Sequence, residues 1–393
     1  MKLAHRMEHI SPSPTLAINA KAQQMKREGI DVIGLGAGEP DFDTPVTIKD
    51  AAIRAINEGF TKYTPAGGTP ELKQAVCTKL ARENGLAYKE SEVIVSCGAK
   101  HSLYNIALAL FEEGDEVIIP APYWVSYPEQ IRLVDATPVT LHTDESTGFM
   151  LVPEALEERI TPRTRGIIVN TPSNPTGAMY DKKTLEAIAG IALRHNLVII
   201  SDECYERMVY DGNVHYSMAS LSPEIRERTL TVNAVSKTYS MTGWRIGYVA
   251  GPERVIKAMN VIQSQTTSNP TSISQKAAIE ALIGDQSEVS RMVAEFQKRR
   301  DFLVGQLQAL PGVTCMLPQG AFYCFPNVSG LFGSRFAAAQ GFVEYLLDRA
   351  KVAVVPGEGF GSSSHIRLSY ATGMEVLARA MERIREAVED LAG

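Results

Sequence analysis

Apolar segments rich in valine and isoleucine alternate with helical patterns from about residue 92 to residue 251. Three of these segments are EVIVSC at 92–97, RGIIVN at 165–170 and LVIIS at 197–201, and each is continuously apolar at its centre. Strands of this kind are covered by helices on both faces, as in a mainly parallel sheet. The alternation therefore predicts an α/β fold built on a mainly parallel sheet.

The pattern changes after residue 251. Long helical segments fill about 270–309, two short strands are expected at 312–316 and 321–326, and a last helix begins near Gly373. This mixture is typical of an α+β unit, and it indicates a second, smaller domain.

No long polar linker or low-complexity tract separates the two parts of the chain. We therefore expect two domains that pack tightly, with a cleft between them. Residues 45–290 are assigned to the large α/β domain. The N-terminal segment 1–44 joins residues 291–393 in the smaller α+β domain.

Composition and charge argue against nucleic-acid and membrane partners. The 393 residues carry a net charge of −6 without a run of lysine or arginine, and no apolar run is long enough to span a bilayer. The start of the chain lacks the apolar stretch of a secretion signal. The five cysteines are widely spaced, which favours free thiols over disulfide bonds. We expect a cytoplasmic protein.

The segment HRMEH at 5–9 fits the zinc-binding pattern H-x-x-E-H. It lies in a polar stretch near the N-terminus, and the sequence offers no evident third ligand. The widely spaced cysteines do not form a zinc-binding pattern either. We therefore expect no metal site.

Polar or small residues follow several of the predicted strands. Asp202 comes directly after LVIIS, Asn174 lies in a proline-rich turn after RGIIVN, and Gly98 leads from EVIVSC into a helix that starts near Ala99. Ligands of open α/β sheets bind beyond the carboxyl ends of the strands. A glycine allows close approach of a ligand, and a helix N-terminus offers N–H groups to an anion. This edge of the sheet is the expected ligand site.

Lys237 follows the strand-like segment TLTVNA and lies among small residues, eight positions before Arg245. A buried ammonium group is costly, and burial or a neighbouring cation lowers the pKa of a lysine until its neutral amine can form a Schiff base with an aldehyde. Arg245 can hold a phosphate through paired N–H donors. Asp202 can keep a pyridine nitrogen protonated. Together these residues indicate pyridoxal phosphate as the cofactor.

Six segments, in order and across nearly the whole chain, resemble the class I aminotransferases of pyridoxal-phosphate fold type I. They are AGEPDFDTP, TKYTPAGGTPELK, NTPSNPTG, SDECYE, SKTYSMTGWRIGY and HIRLSYA. Within that family, GAKHSLYN and PAPYWVSYPEQ resemble the bacterial aspartate and prephenate aminotransferases. The resemblance implies a large domain with a mainly parallel seven-stranded sheet and a smaller α+β domain.

The resemblance also implies roles around the ring of the cofactor. Lys237 forms the Schiff base and shuttles a proton between the substrate α-carbon and the cofactor. Asp202 pairs with the pyridinium, Tyr205 and Asn174 donate hydrogen bonds to the ring hydroxyl oxygen, and Trp124 stacks on the ring. Lys237, Asp202 and Tyr205 are thus the expected catalytic residues.

The phosphate of the cofactor has its own implied partners. They are Arg245, Ser236 and the backbone of Gly98 and Ala99. Ala234 stands where one subgroup of the family carries a phosphate-binding serine, so the phosphate relies more on Ser236 here. Tyr63 is implied to reach the phosphate bound by the neighbouring subunit, which predicts a homodimer with shared active sites.

The substrate is implied to bind through its carboxylates. Arg367 grips the α-carboxylate, helped by the backbone at Gly38, while Lys100 contacts a second carboxylate together with Thr15 and Ser13. Trp124 and Asn174 complete the implied substrate-binding set.

The resemblance thus implies transamination from aspartate to 2-oxoglutarate by a ping-pong route, with amino acids and 2-oxo acids as partners. Prephenate or aromatic amino-acid transamination on the same scaffold is the nearest alternative. A non-catalytic sensor of pyridoxal phosphate or amino acids belongs to another class, and the presence of Lys237, Asp202 and Arg367 together argues against it. A lyase or synthase on this fold also stays open.

Overall fold

The structure is a computed structural model and describes residues 1–392. Its strands are β1 (Ile33–Gly34), β2 (Val93–Ser96), β3 (Glu116–Ala121), β4 (Thr137–His142), β5 (Thr164–Asn170), β6 (Val198–Asp202), β7 (Thr229–Ala234), β8 (Gly247–Ala250), β9 (Tyr323–Cys324), β10 (Val352–Ala353), β11 (Val355–Pro356) and β12 (Ile366–Ser369). Its helices are α1 (Pro14–Arg27), α2 (Val46–Asn57), α3 (Pro70–Asn84), α4 (Ala99–Leu110), α5 (Ser126–Leu133), α6 (Pro153–Arg159), α7 (Lys182–Arg194), α8 (Pro223–Arg226), α9 (Val235–Thr238), α10 (Glu253–Thr266), α11 (Ser272–Ile283), α12 (Ser287–Gln308), α13 (Ala339–Tyr345) and α14 (Met374–Ala392).

Seven strands form the central sheet, in the order β2-β8-β7-β6-β5-β3-β4. Strand β8 runs antiparallel to both of its neighbours, and every other pair in the sheet is parallel. The predicted α/β fold with a mainly parallel seven-stranded sheet is therefore confirmed.

Neighbouring residues of the central strands belong to different hydrophobic cores. On β5, Ile168 shares a buried cluster with Leu103 of α4, whereas Ile167 shares another with Ile188 of α7. Successive side chains of a strand point to opposite faces, so a strand covered on both sides is apolar at every position. This explains why the strand segments show continuous rather than alternating apolar residues.

The C-terminal part contains a small antiparallel sheet in the order β11-β12-β9. Strand β1 of the N-terminal segment pairs in parallel with β10, where Ile33 lies opposite Val352. The N-terminal segment thus packs with the C-terminal part, as its assignment to the smaller domain requires. The domain boundaries themselves stay a prediction.

The strand predicted at 312–316 is wrong. Thr314 forms only an isolated antiparallel bridge with Asn327, and the two backbone N–H groups donate to the opposite carbonyl oxygens at 3.1 and 2.8 Å. Val313 and Cys315 are buried. The apolar pattern here therefore comes from a loop that packs against the core, which sequence cannot distinguish from a short strand.

The parallel strands β3, β5, β6 and β7 end at the same edge of the central sheet. The chain after β3 carries Trp124, the chain after β5 carries Asn174, β6 ends at Asp202, and α9 after β7 carries Lys237. Residues far apart in sequence are brought together in this way.

Within residues 1–392, no helix combines the length and the apolar character that crossing a bilayer requires.

Candidate active site

A cavity of about 230 Å³ opens at the carboxyl edge of the central sheet. All of the predicted site residues except Gly98 and Tyr63 line it. Gly98 is the residue immediately before Ala99, which does line the cavity. The side chain of Tyr63 is 92% exposed and lies outside the cavity of its own chain. The predicted roles of these residues stay predictions.

Lys237 lies in α9 and is partly buried. Its Nζ donates a hydrogen bond to the carbonyl oxygen of Gly38 at 2.5 Å. Burial lowers the pKa of Lys237 to about 8, and the guanidinium groups of Arg245 and Arg367 act in the same direction. Within residues 1–392, no carboxylate lies within ion-pair distance of Nζ. A large fraction of this amine is therefore neutral at slightly alkaline pH, as a nucleophilic lysine requires.

Asp202 ends β6 and is only 5% exposed. Its Oδ2 accepts a hydrogen bond from the hydroxyl of Tyr127 at 2.7 Å, and its Oδ1 accepts one from the backbone N–H of Cys204 at 3.2 Å. Burial raises the pKa of Asp202, and both hydrogen bonds oppose that shift. Tyr127 lies in the segment PAPYWVSYPEQ but was not among the predicted site residues.

Tyr205 and Tyr323 form a buried pair of phenols whose oxygen atoms lie 2.9 Å apart. Burial raises the pKa of Tyr205 well above its usual value, so its hydroxyl stays protonated. A Cβ atom at Gly38 would lie 2.9 Å from the Tyr323 oxygen, so a larger residue is not accommodated there without a shift. Tyr323 also lines the cavity and was not predicted.

Arg367 lies on β12 and is only 2% exposed. Its Nη1 donates to Oδ1 of Asn174 at 2.9 Å, and its Nη2 donates to the carbonyl oxygen of Gly36 at 2.8 Å. Its buried Nε has no hydrogen-bond partner among the described residues. The ring of Tyr323 lies 4.5 Å from its guanidinium carbon. Within residues 1–392 no carboxylate pairs with this buried cation, so the arrangement suits an incoming carboxylate.

A cradle for an anion lies where α4 begins. Gly98 has a φ of +91°, and its carbonyl oxygen accepts from the N–H of His101 at 3.0 Å, so the N–H groups of Ala99 and Lys100 precede the first hydrogen bond of the helix. Arg245 donates to the carbonyl oxygens of Thr242 at 2.9 Å and of Cys97 at 3.2 Å. A Cβ at Gly98 would collide with the guanidinium of Arg245.

These groups fit pyridoxal phosphate. The cavity offers an anion cradle at Gly98 and Arg245, a lysine with a lowered pKa, and at Asp202 a buried carboxylate that has no cationic partner in the described part of the chain. The side chain of Ser236 is 5% exposed and lines the same cavity. This donor set matches a ligand with a phosphate, a basic ring nitrogen and an aldehyde.

The exposed side of the cavity carries the groups predicted to bind a second carboxylate. The Nζ of Lys100 lies 4.8 Å from the centre of the Trp124 ring, and burial together with Arg245 lowers the pKa of Lys100. The hydroxyl oxygen of Thr15 is buried without a hydrogen-bond partner. Ser13 accepts the N–H of Leu16 at 3.4 Å as the cap of α1. Trp124 packs edge-on against Tyr127.

Among residues 1–392, two groups have metal-ligating atoms within 4.8 Å of one another. His5, Glu8 and His9 are all exposed near the N-terminus, whereas Glu203, Glu206 and His215 form a largely buried group. Glu206 already pairs with the buried Lys79. The absence of a metal site stays a prediction.

The chain has close relatives among known proteins. Residues 30–384 match the family model described as aminotransferase class I and II. The aspartate aminotransferase of Geobacillus stearothermophilus is 52% identical over 99% of both chains, and a probable aspartate/prephenate aminotransferase of Aquifex aeolicus is 48% identical over 99% of both.

Solved structures agree with these matches. The aspartate aminotransferase of Rhizobium meliloti superposes with a TM-score of 0.96 at 48% identity, covering 99% of each chain. That of Thermus thermophilus with maleate superposes with a TM-score of 0.94 at 44% identity, covering 98% of this chain and 100% of the other. This chain therefore belongs to the class I and II aminotransferases, enzymes that use pyridoxal 5'-phosphate to transfer amino groups.

Proposed function

We propose that this aminotransferase moves an amino group from aspartate to 2-oxoglutarate by a ping-pong route. The observation that carries the proposal is the pair of cations Arg367 and Lys100 in one cavity, neither of which has a carboxylate partner within residues 1–392. Two unpaired cations suit a substrate with two carboxylates. Both dicarboxylic substrates use the same two residues in turn, as a ping-pong route requires.

Arg367 binds the substrate α-carboxylate and orients the α-carbon. Its Nε is the buried donor without a partner, and its charge is desolvated, so a carboxylate gains charge-assisted hydrogen bonds there. The neighbouring Asn174 already fixes the guanidinium through a hydrogen bond at 2.9 Å. The grip is therefore rigid before the substrate arrives, which lowers the entropic cost of orienting it.

Lys237 is the base that takes the proton from the substrate α-carbon at its Nζ. Its lowered pKa makes the neutral amine accessible near neutral pH. Pyridoxal phosphate, when bound, supplies an aldehyde that condenses with an amine and a ring that holds the electron pair released at the α-carbon. Asp202 holds the ring nitrogen in its protonated form, while Tyr205 and Asn174 hold the ring hydroxyl. Gly98, Ala99, Ser236 and Arg245 hold the phosphate.

Prephenate is the second candidate substrate. It also carries a second carboxylate that Lys100 can bind, and a relative 48% identical to this chain bears the name probable aspartate/prephenate aminotransferase. The test is a panel of amino donors and oxo acids measured as kcat/KM. We expect aspartate with 2-oxoglutarate to give the highest value, and a higher kcat/KM for prephenate than for oxaloacetate would overturn the assignment.

We further propose a homodimer in which Tyr63 completes the phosphate site of the partner. Tyr63 is 92% exposed, and Val46, Ile53 and Val261 are other large apolar side chains that are more than half exposed. Covering such side chains is a common role of a subunit interface.

The test mixes two inactive variants, Tyr63→Ala and Lys237→Ala. In the mixed dimer, one site combines the intact Lys237 of the first chain with the intact Tyr63 of the second, so activity should return after subunit exchange. If the mixture is no more active than the separate variants, the result would contradict sharing of the sites.

We also propose the cytoplasm as the compartment of the protein. All five cysteines have free thiols, which is typical of a reducing environment. Mass analysis of the protein from cells, with thiols alkylated before and after reduction, tests this, because five alkylated cysteines before reduction are expected.

A further inference from the structure

Tyr127 lies at the start of α5 and is only 2% exposed. Its backbone N–H donates to the carbonyl oxygen of Trp124 at 3.0 Å, and the two rings lie edge-on with centroids 5.4 Å apart. The phenol is therefore held in place by a backbone hydrogen bond and by packing against the Trp124 ring. It also lines the cavity of the active site.

The hydroxyl of Tyr127 donates to Oδ2 of Asp202 at 2.7 Å. The other carboxylate oxygen accepts the backbone N–H of Cys204, at 3.2 Å. Within residues 1–392, no lysine, arginine or histidine lies within ion-pair distance of Asp202. Tyr127 is thus the side chain that donates the short hydrogen bond to this buried carboxylate.

The direction of the pKa shifts shows which group holds the proton. Burial raises the pKa of Tyr127 well above its usual value, and the Asp202 charge acts in the same direction. The phenol therefore stays protonated and acts as a donor. Burial raises the pKa of Asp202, whereas the hydrogen bond from Tyr127 lowers it and so favours the carboxylate form.

We propose that Tyr127 is a positioning residue for this transamination: its hydroxyl fixes one oxygen of Asp202 and so holds that carboxylate in place for the ring nitrogen of the cofactor. The inference rests on the proposed pairing of Asp202 with that nitrogen. Without the phenol, Asp202 is a stronger base than in the wild-type protein. The proton that it shares with the ring nitrogen therefore moves toward the carboxylate. The ring then withdraws electrons less strongly.

The test uses Tyr127→Phe, which keeps the ring and removes the donor. Its first readout is the pH titration of the visible absorbance of the bound cofactor. Loss of positive charge on the ring makes the nitrogen linked to Lys237 easier to protonate, so we expect the midpoint to rise by about one pH unit. The dissociation constant for pyridoxal phosphate should rise about tenfold, because a carboxylate that the phenol no longer fixes must be ordered when the cofactor binds.

Tyr88→Phe is the matched control. The hydroxyl of Tyr88 is buried, lacks a hydrogen-bond partner and lies outside the cavity, so its removal should leave the midpoint and the dissociation constant unchanged. The variant Asp202→Asn and the double variant complete a mutant cycle. Because Tyr127 acts through Asp202, adding Tyr127→Phe to Asp202→Asn should produce no further shift of the midpoint.

The outcomes separate the two claims. A wild-type midpoint and affinity in Tyr127→Phe, with both changed in Asp202→Asn, would overturn the inference and leave the Asp202 assignment intact. Wild-type values in Asp202→Asn would instead refute the pairing of Asp202 with the ring nitrogen. If Tyr127→Phe does not accumulate as folded protein, 3-fluorotyrosine at position 127 is a stronger donor and should lower the midpoint; an unchanged midpoint would again overturn the inference.

Discussion

Asp202 and Tyr205, at the inner end of the cavity, are almost fully buried and hydrogen-bonded, whereas Lys100 and Thr15, at its outer end, are more exposed and less constrained. The inner groups are held by strand ends and by phenols of neighbouring elements. At the outer end, Lys100 rests on the Trp124 ring and the hydroxyl of Thr15 has no partner. The difference teaches that the groups proposed for the chemistry are fixed by the sheet, whereas the groups proposed for substrate choice are less constrained.

The strongest test of the inner end is Lys237→Ala. Removing the amine removes both the covalent link to the cofactor and the base for the α-proton, so we expect kcat to fall by at least about 10⁴-fold. The cofactor should still bind noncovalently through the other residues. Steady-state kinetics and the absorbance spectrum check this, and transamination near the wild-type rate would contradict the role of Lys237.

Arg367→Lys tests the buried arginine of the cavity. A lysine keeps the positive charge but loses the planar pair of donors, and the bonds to Asn174 and Gly36 are disturbed. We expect kcat/KM to fall about 100-fold for every amino acid tested, since each presents the same α-carboxylate. A loss restricted to dicarboxylic substrates would show that Arg367 binds the side-chain carboxylate instead.

Lys100→Ala tests the outer end alone. We expect kcat/KM for aspartate and 2-oxoglutarate to fall about 30-fold, because a charge-assisted hydrogen bond is lost. Alanine and phenylalanine, which lack the second carboxylate, should change little. Lys73→Ala is the matched control, because Lys73 is another lysine whose pKa is lowered by burial, but it lies outside the cavity. Equal losses for all substrates would remove Lys100 from recognition.

The pH dependence of cofactor binding tests the lowered pKa of Lys237 at the inner end of the cavity. In the cofactor-free protein, the pKa of Lys237 is lowered to about 8, so the amine is mainly protonated below that pH and mainly neutral above it. The rate of covalent attachment of pyridoxal phosphate should therefore rise about tenfold for each pH unit below 8 and level off above it. Rapid-mixing absorbance measures this rate. A rise that continues to pH 10 would show an amine with its ordinary pKa.

The sequence located much of this architecture because its local patterns agree with the final fold. The segment TLTVNA corresponds to β7, and the helix expected near Ala99 begins there. Tyr127 and Tyr323 were not predicted as site residues, and the reason is physical. Aromatic residues within apolar segments have the same sequence pattern whether they fill a core or face a cavity. The bond from Tyr127 joins residues 75 positions apart, and only the three-dimensional fold brings them together.

The reversed direction of β8 determines how the anion cradle is assembled. Gly247, the first residue of β8, lies opposite Ser96, the last residue of β2. The beginning of β8 is therefore next to the end of β2. The guanidinium of Arg245 thereby reaches the backbone of Cys97 from a turn that precedes a strand. A Cβ at Gly247 would lie 2.3 Å from the backbone nitrogen of Ala99. Any side chain at position 247 would consequently push the first turn of α4 away from the guanidinium of Arg245. The anion cradle therefore tolerates little sequence variation at this position.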